Sequence, residues 1–201
     1  ASLLAQRLGY HYLDSGALYR LLALAAQRAG IAWHDEAGLA QLATTLPVEF
    51  VGDEIFLGGQ EVGLGIRTEE MGRGASQVSV HPAVRAALLD LQRDFRRLPG
   101  LVADGRDMGT VVFPDSPLKI FLTASAEQRA ARRVAQITGR GGQADYDTVL
   151  ADLQARDARD SSRSAAPLVA ATDAQLLDNS HLGIEASVAQ VLQAWERALK
   201  S

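Results

Sequence analysis

The chain has 201 residues, 47% of them hydrophobic and 22% charged, which is enough to bury the core of one compact α/β domain with small insertions. Its formal net charge of −4 argues against a general attraction to nucleic acid or to an anionic membrane surface. The absence of cysteine excludes disulfides and thiolate metal sites, and the longest apolar run, residues 21–26, is too short to span a membrane, so a cytoplasmic protein is expected.

The first half of the chain alternates short apolar strand patterns with amphipathic helix patterns. Helices are indicated where apolar residues recur every three or four positions, and strands where short apolar runs are separated by Gly-Asp or Gly-Gly pairs. In chain order we predict a helix at 1–8, a strand at 10–13, helices at 17–29 and 35–45, strands at 48–51, 54–57 and 60–62, and helices at 68–78 and 82–95. The three consecutive short strands predict a small antiparallel sheet.

The second half of the chain continues this alternation. In chain order we predict strands at 101–103 and 119–122, a helix that begins after Ser125 and ends at 139, a helix at 147–159, a strand at 176–177 and a helix at 184–195. The stretch LVADGRDMGTVVFP, residues 101–114, starts as an apolar strand and is interpreted as ending as one. Strands that alternate with helices favour a parallel sheet with helices on both faces.

Charged side chains interrupt that apolar stretch at Asp104, Arg106 and Asp107. Two interpretations are open: a strand-end turn with a local ion pair, or a ligand site, since open α/β sheets bind ligands at the carboxyl ends of their strands. Arg20 lies one turn into a helix that follows another strand, and the arginine fork suits the paired oxygens of a phosphate. Ser15, which precedes Arg20, is interpreted as the N-cap of that helix, and its hydroxyl could cap the helix while still facing a ligand.

A second charged group lies in the segment ARDARDSSR. On a helix, Arg156, Asp160 and Arg163 are spaced by four and three residues and share a face, whereas Asp157 points elsewhere. An exposed ladder of ion pairs would explain this spacing, and a binding face would explain it as well. The glycine-rich residues 139–142 are interpreted as a flexible loop, because they lack the spacing and the lysine of a phosphate-binding loop.

Five long segments, distributed over the whole chain, resemble the bacterial cytidylate kinases, which are phosphate-loop (P-loop) nucleoside monophosphate kinases. They are LDSGALYR (13–20), IRTEEMGRGASQV (66–78), PAVRAALLDLQRDF (82–95), ADGRDMGTVVFPDSPLKIFLTAS (103–125) and RDARDSSRSAAPL (156–168). The resemblance implies a P-loop NTPase-like three-layer α/β core with a parallel sheet flanked by helices, a monophosphate-binding insert with a short antiparallel sheet, and a short lid. It assigns the core to 1–38, 79–133 and 165–201, the insert to 39–78, and the lid with its neighbouring helix to 134–164.

The same resemblance implies a reaction. The γ-phosphoryl group of ATP, bound with Mg²⁺, would be transferred to CMP or dCMP to give CDP or dCDP in pyrimidine nucleotide metabolism. The expected partners are these small-molecule substrates, with no nucleic acid and no membrane, and a monomer is expected. Because two anions must be brought together, positioning and positive charge would carry most of the catalysis.

The resemblance assigns a role to each matching residue. The groups expected to bind the monophosphate are Ser15, Arg20, Arg106 and Arg163, of which the three arginines are the expected catalytic residues. The groups expected to face the cytosine are Ser76, Arg85 and Asp107, and those expected to bind the sugar hydroxyls are Arg156 and Asp160. Arg132 and Arg133 are expected near ATP, Arg140 in the moving lid, and Asp104 as a support for Arg106.

The chain departs from the family pattern at its start. The glycine loop that binds the ATP phosphates, with its lysine and Ser/Thr, precedes the first helix in the family, whereas this sequence begins inside that helix. We expect the natural protein to carry this loop and the first core strand upstream of Ala1, and expect the chain alone to be inactive, with no metal ligand of its own. The alternative is a nucleotide-binding protein without turnover; a nucleic-acid-binding module is disfavoured by the net acidity and by the low aromatic content of 5%.

Overall fold

The computed structural model describes residues 1–51, 54–162 and 168–200. The chain divides into two compact units, Ala1–Gly105 and Arg106–Ser201. Each unit combines a pair of parallel strands with helices, and the first also contains a short antiparallel sheet. The predicted mixed α/β fold, with parallel strands flanked by helices, is therefore confirmed.

The first unit contains five helices and five strands within its described residues. The helices are α1 (Ser2–Leu8), α2 (Ser15–Ala29), α3 (Glu36–Thr44), α4 (Glu69–Val78) and α5 (Pro82–Arg93), and a 3₁₀ turn spans Gly65–Arg67. The strands are β1 (His11–Asp14), β2 (Val48–Val51), β3 (Glu54–Leu57), β4 (Gln60–Glu61) and β5 (Leu101–Asp104). β1 pairs in parallel with β5 and places Asp14 opposite Asp104, whereas β2, β3 and β4 form the antiparallel sheet.

Helix α2 forms the centre of the first unit because its apolar side chains recur at helical spacing. Leu18, Leu21 and Leu22 are fully buried. The helix begins after Asp14, whose carboxylate accepts a hydrogen bond from the backbone N–H of Ala17 at 3.0 Å, and such a cap satisfies an N–H that has no partner within the helix. The interpretation of Ser15 as the N-cap is wrong, because the Asp14 side chain occupies that role.

The second unit is built from two parallel strands and three helices within its described residues. They are β6 (Ile120–Thr123), α6 (Ala126–Gly139), α7 (Tyr146–Ser162), β7 (Gln175–Asp178) and α8 (Ile184–Ala198). β6 pairs in parallel with β7, and α6 packs against α7. Ser125 caps α6 by accepting a hydrogen bond from the backbone N–H of Gln128 at 3.2 Å, as the capping pattern predicts.

The segment that follows β5 is a π-helical turn, Met108–Val112, so the interpretation of residues 101–114 as ending in a strand is wrong. The N–H groups of Val111 and Val112 donate to the Asp107 carbonyl at 2.9 and 3.1 Å, and the N–H of Phe113 donates to the Met108 carbonyl at 2.7 Å. β-Branched residues favour strands on average. Here the buried residues are Met108, Val112 and Phe113, whereas Val111 is exposed, and this spacing fits one face of a helical turn.

The predicted antiparallel sheet is confirmed by β2, β3 and β4, which lie inside the stretch 39–78 assigned to the monophosphate-binding insert. The assignment of residue ranges to core, insert and lid stays a prediction. Within the described ranges, no helix combines the length and the apolar character that a membrane span requires.

Candidate active site

Arg20 joins three elements of the first unit. It lies in the second turn of α2, and its Nη1 donates to the carbonyls of Ile66 at 2.8 Å and Thr68 at 3.1 Å, which lead into α4. Its guanidinium lies directly over Gly72, where a Cβ would approach Nη2 to 3.0 Å. The absence of a side chain at Gly72 therefore lets the Arg20 guanidinium approach α4 closely.

Arg85 and Ser76 are brought together by the turn between α4 and α5. Arg85 donates from Nη1 to the Ser79 carbonyl at 2.9 Å, and the Ser79 hydroxyl donates to the Ser76 carbonyl at 3.2 Å. The Arg85 guanidinium also lies 5.4 Å from the ring centre of Tyr19 on α2, a distance at which the aromatic face attracts a cation. Sequence reasoning assigned no role to Tyr19, although its position beside Arg20 in the LDSGALYR segment could have indicated one.

Ser15 makes a buried contact that the sequence did not predict. Its hydroxyl donates to Oε1 of Gln92 on α5 at 2.8 Å, and Nε2 of Gln92 donates to the Leu88 carbonyl at 3.3 Å. Only 3% of Ser15 and 1% of Gln92 are exposed. The sequence could have indicated this contact, because Gln92 lies four residues after Leu88 and therefore on the apolar face of α5, where a polar side chain needs a buried partner.

The carboxyl ends of β1 and β5 place a tyrosine among carboxylates. The Tyr12 hydroxyl donates a hydrogen bond to Asp104, and Asp14 lies opposite Asp104 across the strand pair. Burial raises the pKa of the Tyr12 hydroxyl, as do the negative charges of Asp14 and Asp104, whereas the Arg67 guanidinium opposes this change. The hydroxyl therefore stays protonated and donates a hydrogen bond to Asp104. The predicted support of Arg106 by Asp104 stays a prediction.

Asp160 is the centre of the charged group in the second unit. Its Oδ2 accepts a hydrogen bond from Nε of Arg106, and Nε of Arg156 lies 3.9 Å from the same oxygen. Only 4% of Asp160 is exposed. The interpretation of this helix face as an exposed ladder of ion pairs is therefore wrong, because its central carboxylate is buried and accepts a hydrogen bond from Arg106.

Asp107 is held in place by the turn that follows β5. It is buried, and its carbonyl accepts the two hydrogen bonds that begin the π-helical turn. The π-helical geometry thus fixes the backbone from which the carboxylate projects, directly after Arg106.

A second ion pair joins α6 to α7. Nη1 of Arg129 donates to Oδ1 of Asp157 at 3.0 Å, Nη2 donates to Oδ2, and Nε donates to the Ala124 carbonyl at 3.2 Å. The hydrogen bonds from Arg129 hold the pKa of Asp157 below its usual range, and the positive charges of Arg106 and Arg156 add to this effect. Sequence reasoning placed Asp157 away from Arg156 and Asp160 but gave no role to Arg129.

The three arginines assigned to the ATP side or to the lid lie on or next to α6. Arg132 donates to the Asn179 side chain at 3.2 Å, to the Asn179 carbonyl, and to the Ser180 and Leu182 carbonyls at 3.4 Å each. Arg133 donates to Oε1 of Gln136 at 3.0 Å, and Arg140 is exposed at the end of the helix. Arg132 therefore holds the loop between β7 and α8, and the ATP-side roles of these arginines stay predictions.

Some of the predicted site residues belong to the first unit and the others to the second. Ser15, Arg20, Ser76 and Arg85 belong to the first unit, and Arg106, Asp107, Arg156 and Asp160 to the second. Arg163 lies outside the described residues. Among the side chains that the structure describes, no group of three or more histidines, aspartates or glutamates is placed to hold a metal ion.

Comparison with known proteins identifies the family. The family model for cytidylate kinase matches residues 1–197. The chain is 56% identical over 196 residues to the cytidylate kinase of Cupriavidus pinatubonensis, an alignment that covers 98% of this chain and 88% of that protein. The cytidylate kinase of Pseudomonas aeruginosa is also 56% identical, over 203 residues that cover 98% of this chain and 89% of that protein. A match of this length and identity shows that the chain belongs to the cytidylate kinase family.

Proposed function

We propose that this protein transfers the γ-phosphoryl group of ATP to CMP or dCMP, giving CDP or dCDP, with ATP entering as its Mg²⁺ complex. The observation that carries the proposal is 56% identity over 98% of the chain to proteins named cytidylate kinase. The charged residues of both units support it, because an enzyme that joins two anionic substrates needs fixed positive charge.

Phosphate binding is assigned to Ser15 and to three arginines, of which Arg20 and Arg106 are held by other groups of their own units. In the first unit, the monophosphate contacts are Ser15 and Arg20, and Arg20 is held by the Ile66 and Thr68 carbonyls. In the second unit they are Arg106 and Arg163, and Arg106 is held by Asp160. A guanidinium that is oriented before the substrate arrives does not have to be reorganised as charge develops on the transferring group. Arg20 and Arg106 are therefore proposed as catalytic residues, and Arg163, which lies outside the described residues, is proposed as a third from its place in the family pattern.

Recognition of the base is assigned to Ser76, Arg85 and Asp107. Cytosine presents an amino group at its 4-position, which is a donor, where uracil presents a carbonyl. The Asp107 carboxylate accepts from that amino group and repels the uracil carbonyl, and its burial weakens the screening by water. Arg85, oriented by Tyr19 and Ser79, donates to the acceptor edge of the base.

The sugar hydroxyls are assigned to Arg156 and Asp160. A buried carboxylate accepts hydrogen bonds from hydroxyl groups, and the neighbouring guanidinium donates to them. The structural support is that both side chains lie on one face of α7, with 3.9 Å between Arg156 Nε and Asp160 Oδ2.

The proposed function is tested with the full-length gene product in a coupled assay of ADP formation from ATP and Mg²⁺. We expect ADP to form with CMP and dCMP and much more slowly with UMP. CMP binding measured by calorimetry without ADP formation above background would instead establish a nucleotide-binding protein without turnover. Equal rates with CMP and UMP would contradict the assignment of Asp107 to base recognition.

A further inference from the structure

The ion pair between Arg129 on α6 and Asp157 on α7 lies next to the residues assigned to the sugar but contains none of them. We propose that Arg129 and Asp157 are positioning residues, which fix the rotation of α7 about its axis and thereby hold Arg156 and Asp160 in their binding orientation. This inference rests on the proposed function, because it takes the sugar hydroxyls as the ligand of Arg156 and Asp160.

The Arg129 guanidinium is a rigid partner for α7. Its two Nη groups bind the two carboxylate oxygens of Asp157, and its Nε donates to the Ala124 carbonyl, just before the Ser125 cap of α6. The Nε hydrogen bond ties the guanidinium to the residue just before the cap of its own helix, and the two Nη groups bind the carboxylate on α7. Asp157 is therefore connected through Arg129 to the backbone at the start of α6.

The position of Asp157 along α7 turns this contact into a constraint on its neighbours. Successive residues of an α-helix are rotated by about 100°, so Asp157 is about 100° from Arg156 and, three residues before Asp160, about 60° from that side chain. A contact at Asp157 therefore fixes the directions in which both the Arg156 and the Asp160 side chains point. Without this contact, α7 can rotate about its axis against α6, and the Arg156 and Asp160 side chains then turn away from their binding orientation together.

The charges near Asp157 support the same conclusion. Besides the Arg129 hydrogen bonds, the charges of Arg106 and Arg156 lower the pKa of the Asp157 carboxyl, so Asp157 acts on the arginines that surround Asp160. The group contains three guanidiniums, Arg106, Arg129 and Arg156, and two carboxylates, Asp157 and Asp160. Asp157 pairs with Arg129, and Asp160 pairs with Arg106 and lies near Arg156.

The test compares CMP with 2′,3′-dideoxy-CMP, which lacks the sugar hydroxyls, in the coupled assay with the full-length protein. For Asp157→Ala and Arg129→Met we expect the ratio of kcat/KM between these two substrates to fall by roughly tenfold, through a higher KM for CMP with a smaller change in kcat. The double variant should lose no more than either single variant, because each removes the same contact. Asp157→Glu keeps the charge and should retain most of the discrimination.

The matched control is Asp173→Ala, which breaks the ion pair between Lys119 Nζ and Asp173 Oδ2, at 2.8 Å, elsewhere in the same unit. We expect both this variant and Asp157→Ala to lower the Tm, but only Asp157→Ala to change the substrate ratio. If the Asp157 and Arg129 variants keep the ratio within twofold of the wild type, or if Asp173→Ala reduces it equally, the positioning role is overturned. If the wild type itself does not prefer CMP to the dideoxy compound, the assignment of the sugar site fails and this inference fails with it.

Discussion

The substrate specificity that we propose for this protein depends on a few individual buried polar side chains. Asp107 and Asp160 are buried carboxylates, and Ser15 and Gln92 form a buried hydrogen bond. A buried polar group destabilises the fold unless its partners are in place, so each of these groups makes the local geometry specific. Changing one of them should affect either recognition or stability, depending on whether its partner is a substrate or another side chain.

Asp107→Asn should weaken the preference for cytosine over uracil. The asparagine amide can present an N–H to the uracil carbonyl that the carboxylate repels, so we expect the ratio of kcat/KM for CMP to that for UMP to fall by about tenfold or more, since one base contact contributes roughly 1–3 kcal/mol. Steady-state kinetics with both substrates measures this ratio. Asp152→Asn, at an exposed position on α7, is the control and should leave it unchanged; an unchanged ratio for Asp107→Asn would contradict its role in base recognition.

Gln92→Leu should lower the free energy of unfolding by about 1–2 kcal/mol, because it leaves the buried Ser15 hydroxyl without its acceptor. Adding Ser15→Ala should recover much of that loss, since the double variant removes both polar partners. Urea unfolding followed by circular dichroism provides the free energies. The control is Gln77→Leu at an exposed position on α4. Additive losses in the double variant would show that the two side chains do not stabilise the fold as a pair.

At the scale of secondary structure, a few arginines add directional contacts to the apolar packing of the helices. Helix α6 contacts α7 through Arg129 and Asp157, and it contacts the loop before α8 through Arg132. In the first unit, α2 contacts the start of α4 through Arg20. These arginines bind carbonyls and a carboxylate in defined directions, so they set how the helices are rotated as well as where they lie.

The α6–α7 contact should become weaker in acid, because it depends on an ionised Asp157. The pKa of Asp157 is lower in the folded protein than the ordinary value of 3.8, so its contribution is fully present above that value and is lost as the pH falls through the folded pKa. We therefore expect the difference in stability between the wild type and Asp157→Ala to be constant from about pH 7 to pH 5 and to shrink below about pH 4.

Urea unfolding across this pH range tests the expectation, with Asp152→Ala on the same helix as the matched control. Asp152 occupies an exposed position on α7, so this variant removes a carboxylate from the same helix without touching the contact between Arg129 and Asp157. A difference that stays constant down to pH 3 would mean that the ionised form of Asp157 does not contribute to the contact.

At the scale of the whole molecule, binding of the substrate should stabilise the folded protein. A ligand that binds only the native state raises the free energy of unfolding by about 2.7 kcal/mol at a hundred times its Kd. We expect CMP to raise the Tm in a thermal shift measurement, and UMP at the same concentration to raise it less. Equal Tm shifts with CMP and UMP would contradict the proposed base recognition. In the Asp107→Asn variant we expect the Tm shifts produced by CMP and UMP to be more similar than in the wild type.

The sequence by itself determined the elements of this fold and its family. Strands β2 and β3 were predicted with the bounds that the structure shows, and most helix ends were predicted within a few residues, for example at Gly30 after α2 and at Ser125 before α6. Hydrophobic periodicity, capping residues and glycine stops act over a few neighbouring positions, so they can be read from the chain directly. The π-helical turn at 108–112 was missed, since two adjacent valines suit a strand equally well.

Only the tertiary structure decided which side chains are partners. Ser15 and Gln92 are 77 residues apart in the chain, Arg106 and Asp160 are 54 apart, and Arg129 and Asp157 are 28 apart. Sequence reasoning identified Arg106 and Asp160 as site residues without pairing them, and it gave no role to Gln92 or Arg129. Such pairs depend on how separate elements pack and on which polar groups that packing buries, and neither is encoded in local spacing.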